Sequence, residues 1–346
     1  MAGPPDMGLA QTRDTRWLAL SDHAGPLGAT DLPDLLPRGT LVLDLIQPKS
    51  GPSVLLDYRA TTTTNPRVLS IFYDPTTGIS MLHRQDATVQ RHHLPGPLPQ
   101  NGAPARLTYC WDTAAVTWTL LLEDTAATWA RTSHGTHPIP LATADLLAMC
   151  AGPAAARRDA AVQWFGVCEN TPAAPPAAWI GQRSPVQTPR GPVAAADLRL
   201  GDLVQTLDHG PQPILAMQMQ ALPNRGRLAP VLLRAPYFAS HVDLLVSQAQ
   251  LTLLSGAGVE YLFGEDAVLA PAAALRDGNT ALSDTRRPMT ATVALDLGKP
   301  ALIIADGCPL LCSANSATAL PYRLLHDYEV LPLQSLLGRG GQRSAA

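Results

Sequence analysis

The sequence predicts an all-β protein of two domains, and three observations support this prediction. The chain of 346 residues is long enough to bury two hydrophobic cores. Its 33 prolines and 26 glycines separate many short apolar runs, which is typical of strands joined by turns. Hydrophobic residues make up 46% of the chain and charged residues only 15%, and this balance indicates a globular protein.

The first half of the sequence contains a series of predicted strands separated by turn residues. One turn is the Asp-Pro-Thr-Thr-Gly sequence at 74–78, where Pro and Gly favour a chain reversal. Strands that recur about every ten residues predict a two-sheet β-sandwich of the jelly-roll type. The expected strands lie at residues 16–21, 40–46, 53–58, 67–73, 79–83 and 88–94.

The clearest strand pair lies at residues 106–124, where apolar and polar residues alternate on both sides of a loop at 112–115. This alternation predicts an antiparallel hairpin with its aromatic residues on one face. The segment resembles laminin-G and concanavalin-like sandwiches, and the resemblance implies carbohydrate binding as one activity. The apolar positions are Leu107, Tyr109, Trp111, Trp118, Leu120 and Leu122.

A change in composition predicts the end of the first domain. Residues 141–150 are expected to form a short helix with Thr143 as its N-cap. The following residues are rich in Ala and Pro, apart from an apolar patch at 162–167. We therefore expect the sandwich at residues 15–150 and an interdomain linker at 151–178.

Turn and strand signals alternate in the second half at residues 188–214. A Thr-Pro-Arg-Gly-Pro turn at 188–192 is followed by an Arg-Leu-Gly-Asp turn at 199–202 and a predicted strand at 203–207. This pattern, which ends in Gly-Pro-Gln-Pro-Ile, resembles the opening of a Hint domain, the hedgehog/intein fold, in its bacterial two-domain form. The resemblance implies a C-terminal Hint-type β fold over residues 179–316.

The Hint resemblance also assigns the positions of the family's chemistry. Self-cleavage or splicing begins at a Cys in the first residue, nine residues before the Thr-Pro turn, and this position is Trp179. The family block that reads Leu-Val-Ser-Gln-Ala-Gln in this chain has Gln250 at its His position. Many relatives carry a further His before the final strand, where this chain has Pro300.

These departures bear directly on the family mechanism. A Cys thiolate attacks the carbonyl that precedes it, and a His transfers a proton to the departing amide. Trp179 offers no nucleophile, and the Gln250 amide does not titrate near neutral pH. We therefore predict a degenerate, non-cleaving Hint domain that serves as a folded interaction module.

A self-cleaving protein with substitute catalytic groups is the first alternative. Cys168 in the expected linker or Ser184 just after the first position would then replace the missing nucleophile, with His241 as the proton-transfer group. The structural interpretation of the same residues is a buried thiol, a turn residue and a solvated loop histidine.

Carbohydrate binding by the sandwich is the second alternative. Its polar features are the pair His92 and His93 and the Thr-rich run at 61–65. Adjacent residues of a strand point to opposite faces, so the two histidines are poorly placed to hold one metal ion.

Charge and hydropathy exclude several classes of partner. The net charge is −3 and no basic run occurs, so we expect no nucleic-acid binding. No apolar stretch reaches the roughly 20 residues of a membrane span. The N-terminus does not resemble a conventional signal peptide, which leaves a cytoplasmic location or export by another route. A protein or a carbohydrate partner remains open.

The remaining features predict no cofactor and no metal. The five cysteines are widely spaced and odd in number, which does not indicate a disulfide framework. Cys308 and Cys312 are expected to be buried apolar thiols, because no second pair of ligands lies near them. Residues 317–346 are expected to form a tail with a helix near 322–328.

Overall fold

The computed structural model describes residues 15–28, 31–48, 51–60, 66–125, 128–152, 156–170, 172, 175–312 and 320–337. The chain divides into two compact units, residues 1–173 and 174–346. Antiparallel strands dominate both units, so the predicted all-β class is confirmed. The Thr-rich run at 61–65 lies outside the described residues.

The first unit is built from short strands and one helix. They are β1 (Trp17–Leu20), β2 (Leu35–Leu36), β3 (Arg38–Ile46), β4 (Ser53–Arg59), β5 (Arg67–Asp74), β6 (Gly78–Gln85), β7 (Thr88–Pro95), β8 (Pro104–Asp112), β9 (Thr117–Asp124), β10 (Ala130–Thr136), β11 (Leu141–Ala142), α1 (Thr143–Cys150), β12 (Arg157–Arg158) and β13 (Val162–Cys168).

Two sheets of the first unit enclose a common core. One has six strands in the order β1-β13-β3-β8-β9-β10, and the other has five in the order β12-β4-β5-β6-β7. Leu43 and Tyr109 of the first sheet share this core with Ile71 and Ile79 of the second, and all four are at most 1% exposed. The predicted N-terminal β-sandwich is confirmed.

The hairpin predicted from alternation is β8–β9. Tyr109 pairs with Leu120 and Trp111 with Trp118, so the predicted apolar positions share one face. Tyr109 and Trp111 stack with ring centroids 5.6 Å apart and are buried. The indole of Trp111 donates a hydrogen bond to the carbonyl of Leu36, which ties the hairpin to the preceding segment.

The predicted linker at 151–178 contains two strands of the sandwich, so residues 157–168 are not a linker. β13 lies between β1 and β3 in the interior of the six-stranded sheet. Its apolar residues are buried, and Trp164 is 0% exposed. The apolar patch at 162–167 marked this strand in the sequence, but its Ala- and Pro-rich flanks led to its assignment to a linker.

A buried ion pair joins three neighbouring strands of that sheet. Arg106 of β8 binds Asp44 of β3 through Nε at 2.7 Å and Nη2 at 3.1 Å. Trp164 of β13 donates its indole N–H to the same carboxylate at 3.0 Å. Because one buried carboxylate satisfies donors from both sides, it fixes the register of β3 against β8 and β13.

Helix α1 begins at Thr143, so the prediction that Thr143 caps it is wrong. The N-cap residue is Ala142, which offers no side-chain cap. Ala142 belongs to β11, which pairs with β2 and leads the chain directly into the helix. The Thr143 hydroxyl instead donates to the carbonyl of Pro33.

The second unit contains a larger number of very short strands. Its elements are β14 (Ile180–Gly181), β15 (Pro185–Thr188), β16 (Gly191–Ala194), β17 (Leu203–Thr206), β18 (Gly210–Pro213), β19 (Ala216–Pro223), β20 (Val231–Leu233), β21 (Leu244–Val246), β22 (Leu251–Ser255), α2 (Ala257–Phe263), β23 (Ala267–Pro271), β24 (Ala281–Ser283), β25 (Met289–Asp296), β26 (Ala301–Ala305), β27 (Cys308–Cys312), β28 (Arg323–Leu324) and α3 (Asp327–Leu337).

These strands form two sheets around a second core. The six-stranded sheet has the order β19-β25-β14-β21-β20-β24. The other has nine strands, and its main path is β16-β15-β26-β27-β22-β23-β28. The turn at 188–192 closes the hairpin β15–β16, and the predicted strand at 203–207 is β17, which pairs with β18.

Part of the predicted tail at 317–346 packs against the second core as a strand and a helix. β28 pairs in parallel with β23, and α3 follows it, later than the helix expected near 322–328. Leu325, Val330 and Leu333 are at most 3% exposed and belong to the second core. Acidic residues in the first turn favour the helix start at Asp327.

Two histidines lie inside the sandwich on neighbouring strands. His83 of β6 is 4% exposed and His92 of β7 is 1% exposed, and the Nδ1 atom of each lacks a hydrogen-bond partner among the described residues. His92 Nε2 lies 3.1 Å from the Tyr109 hydroxyl, and its ring meets the Trp118 ring edge to face. Burial, and for His83 also the proximity of His92, lowers the pKa of each histidine to about 4.

We expect the sandwich to lose stability in mild acid because of these histidines. Each is neutral in the folded state, whereas its ordinary pKa of 6.5 applies after unfolding. The unfolded chain therefore binds more protons between pH 6.5 and 4, and stability falls as pH decreases through this range. The loss is on the order of 3 kcal/mol for one histidine. Urea unfolding followed by tryptophan fluorescence at several pH values measures it.

A double variant with His83→Leu and His92→Phe is expected to flatten this pH dependence. The control is His93→Gln, because His93 is exposed on the opposite face of the same strand. An unchanged pH profile in the double variant would contradict the explanation.

Candidate functional site

A cleft of about 480 Å³ lies in the second unit beside the six-stranded sheet. It brings together Trp179 and Gln250, the two positions that the sequence assigned to the family's chemistry. The described lining consists of Pro176, Ala177, Ala178, Trp179, Ile180, Ala216, Met217, Gln218, Gln250, Val293, Ala294, Leu295, Asp296, Ile303 and Cys312.

Main-chain pairing holds Trp179 in this cleft. Ile180, the next residue, pairs with Val246 of β21 on one side and Val293 of β25 on the other. The carbonyl of Trp179 accepts the N–H of Ser247 at 3.0 Å. The Trp179 side chain is 3% exposed, so a buried indole occupies the position where the family chemistry requires a thiol.

Gln250 is bound by main-chain groups through its amide. Its Nε2 atom donates to the carbonyl of Leu311 at 2.9 Å and to that of Leu251 at 3.1 Å. These two bonds use both protons of the amide nitrogen. The side chain is only 2% exposed, and its hydrogen bonds join β22 to β27. A neutral amide does not act as a general acid, so Gln250 does not replace a histidine in proton transfer.

Ser247 binds two residues of the cleft lining, Ala177 and Trp179, and the sequence analysis did not single it out. Its hydroxyl donates to the carbonyl of Ala177 at 2.7 Å, and its N–H binds the carbonyl of Trp179. The peptide group of Ala178, which family chemistry would attack, therefore lies between two bound carbonyls. The hydroxyl in the Leu-Val-Ser block was the only sequence signal for this contact.

Cys312 also lines the cleft, although the sequence indicated only a buried thiol. Burial and, to a smaller extent, the charge of Asp296 together raise the pKa of this thiol to about 12. A thiol with such a pKa is protonated at neutral pH and is a poor nucleophile. Asp296 itself accepts the N–H of Gly298 at 2.7 Å.

The three substitute groups do not line this cleft. Cys168 ends β13 in the first unit, where its Sγ lies 3.6 Å from the carbonyl of Thr40. Burial raises the pKa of the Cys168 thiol far above its usual range. Ser184 is 5% exposed in the turn before β15, and its carbonyl binds the N–H of Ala195.

His241 lies on the surface of the second unit. Its side chain is 84% exposed, and its Nδ1 is 2.9 Å from Asp306 Oδ1. The Asp306 carboxylate also accepts the main-chain N–H groups of His241 and Val242. Burial raises the pKa of Asp306, but these hydrogen bonds outweigh it and hold the value below its ordinary range. The loop is thereby fixed away from the cleft lining.

The other polar features of the sequence are not assembled into a site. His92 is buried and His93 is exposed, as strand alternation predicts. Pro300 directly precedes β26, and Cys308 and Cys312 are both buried. Among the described residues, no three His, Cys, Asp or Glu side chains come close enough to hold a metal ion. None of the helices in these residues has the length and apolar character of a membrane span.

Removing the Gln250 side chain is expected to destabilise the second unit. Gln250→Ala leaves the carbonyls of Leu251 and Leu311 without these donors, at a cost of ~1–3 kcal/mol. The control is Gln212→Ala, because Gln212 also donates to two carbonyls, those of His209 and Pro211, in an exposed position. Its expected effect is within ~0.5 kcal/mol. Chemical unfolding measures both, and equal effects would contradict a structural role.

Comparison with known families identifies the second unit. Residues 181–312 match the Hint domain family, a range that begins two residues after Trp179 and ends at Cys312. The C-terminal half therefore contains a Hint domain, which confirms the resemblance inferred from its turn and strand pattern. No curated protein matches the chain.

Solved structures with similar arrangements include inteins and β-sandwiches. The MchDnaB-1 intein is 16% identical, with 38% of this chain and 98% of the intein covered and a TM-score of 0.26. The CBM40 module of the Ruminococcus gnavus IT-sialidase is 12% identical, with coverages of 40% and 79% and a TM-score of 0.28. The LG1-3 region of the laminin alpha2 chain is 9% identical, with coverages of 87% and 57% and a TM-score of 0.28.

Proposed function

We propose that this Hint domain is a non-cleaving copy that acts as a folded interaction module. The observation that carries the proposal is that Trp179 and Gln250 line the same cleft. Both positions of the family's chemistry are filled by side chains that pack or bind main chain. The domain retains the scaffold of autoprocessing without the groups that perform it.

The first step of the family reaction has no nucleophile at its expected position. Attack on the Ala178 carbonyl requires a thiolate or an activated hydroxyl at residue 179. The indole of Trp179 has neither group. The Ser247 hydroxyl contacts this segment, but it donates its proton to the Ala177 carbonyl, and the hydrogen bonds of the described residues place no base beside it.

Departure of the amide also lacks its proton donor. The leaving nitrogen is that of Trp179, and a neutral amide such as Gln250 does not act as a general acid. The Cys312 thiol is protonated, but its pKa of about 12 makes it a weak acid. The expected positions thus lack both the nucleophile and the general acid, and the reaction requires both.

We expect the purified protein to remain a single species of 36.6 kDa, before and after incubation with thiol or hydroxylamine. Both reagents release fragments from a Hint domain that forms a thioester or an ester. Intact-mass spectrometry measures the outcome, and a self-cleaving Hint protein treated in parallel is the positive control.

A Cys168→Ala, Ser184→Ala double variant is expected to behave as the unmodified chain. Two fragments that separate near residues 168–184, and that disappear in this double variant, would mean that a substitute nucleophile exists. That result would overturn the non-cleaving assignment.

Carbohydrate binding by the sandwich is a second candidate function, favoured by a groove of about 750 Å³ on the five-stranded sheet. Phe72 lines it and is 40% exposed, so an aromatic ring is open to a ligand. Arg157, Asp74 and Ser53 add charged and hydroxyl groups to the same groove. An exposed ring surrounded by such groups suits the apolar face and hydroxyl groups of a sugar.

A glycan array with the full chain tests this candidate. Phe72→Ala is expected to lower any affinity found by at least ~10-fold, because one aromatic contact with the ligand is lost. Val89→Ala is the control, because Val89 is 49% exposed on the same sheet and does not line the groove. An array without binding would exclude the glycans it displays.

A further inference from the structure

The edge strand β19 of the Hint domain presents unpaired main-chain groups. It pairs only with β25, so its other side is an edge of the six-stranded sheet. Its eight residues read Ala-Met-Gln-Met-Gln-Ala-Leu-Pro and contain no charge. Met219, near its centre, is 44% exposed.

Hydrogen bonds show which residues of β19 direct their main-chain N–H and C=O groups away from β25. The N–H of Asn224 binds the carbonyl of Pro288, and the carbonyl of Gln220 accepts the Thr292 hydroxyl, so even-numbered residues face β25. Main-chain groups alternate between the two sides of a strand. Those of residues 217, 219 and 221 therefore point away from the sheet, and they form no hydrogen bond within the described residues.

Other exposed edges of this protein carry features that prevent pairing. β7 and β10, the sandwich edges of similar length, contain Arg and His residues. β18, the edge beside β17, contains Pro211 and Pro213, which have no N–H to donate. Charges and prolines are the usual protection of an edge strand. β19 has a single proline, at its last position.

We propose that β19 is a self-association edge, which pairs antiparallel with β19 of a second copy of this chain. A two-fold axis at Met219 would place Met219 opposite Met219 of the second copy and Met217 opposite Ala221 in both directions. All three outward residues then exchange N–H···O bonds, about six in total. This interface is isologous and joins the two sheets into one.

Charge and side-chain chemistry favour a second copy as the occupant. The strand carries no charge, so two copies meet without repulsion, whereas a charged partner segment would gain no ion pair. The exposed Met219 side chains would lie side by side across the axis and bury apolar surface. Self-pairing does not depend on whether the cleft can cleave.

Disulfide trapping with the full chain tests this proposal. Residues opposite each other in a hydrogen-bonded antiparallel pair have Cα atoms ~5.5 Å apart, within the range of a disulfide. Met219→Cys is therefore expected to form covalent dimers under mild oxidation. The control is Leu203→Cys. Leu203 is 47% exposed in the same unit, but its strand β17 pairs with β18 and is not an edge. Met219→Cys is expected to react at least ~10-fold faster.

A second variant keeps the test independent of cysteine chemistry. Met219→Lys places two like charges at the axis and is expected to abolish self-association in sedimentation equilibrium, with an unchanged circular dichroism spectrum. Equal cross-linking rates for the two cysteine variants would overturn the proposal. A dimer that persists in Met219→Lys would also overturn it, because the contact would then lie elsewhere. Cleavage assays have no bearing on either readout, so failure here is distinct from failure of the non-cleaving assignment.

Discussion

The pairing of Ile180 with strands on both sides is the interaction on which the cleft depends. Because β14 lies between β21 and β25, the residue before it enters the cleft whatever its side chain is. Gly181 allows this close approach, since a Cβ there would lie 3.1 Å from the Leu245 Cβ. Backbone hydrogen bonds therefore set the position of residue 179 independently of its side chain.

The sandwich contains two kinds of buried polar group, which differ in how the cost of burial is reduced. The Asp44 carboxyl group accepts hydrogen bonds from Arg106 and Trp164, which compensate its burial. His83 and His92 lack a partner at Nδ1 and avoid the cost of a buried charge by staying neutral. The first arrangement is a hydrogen-bonded ion pair, whereas the second makes the stability of the sandwich fall as the pH decreases from 6.5 to about 4.

Local pattern predicted much of the fold but not its irregular elements. Alternation in β8–β9 was readable because the period of a strand is two residues. The apolar run of β13 was visible, but its Ala- and Pro-rich flanks placed it in a linker, and β14 has only two residues. The positions of Trp179 and Gln250 followed from the Hint resemblance. The contacts of Ser247 and the place of Cys312 in the cleft did not, because only tertiary structure brings such distant segments together.

The hydrogen bonds of Gln250 restrict which side chains fit at this position. A neutral imidazole at this position has one N–H and therefore satisfies one of the two carbonyls that the amide now binds. A Gln250→His substitution would thus leave one of these buried carbonyls without its present donor. The Gln250 amide belongs to the framework of the domain as well as to the cleft, so a substitution at this position acts on stability as well as on chemistry.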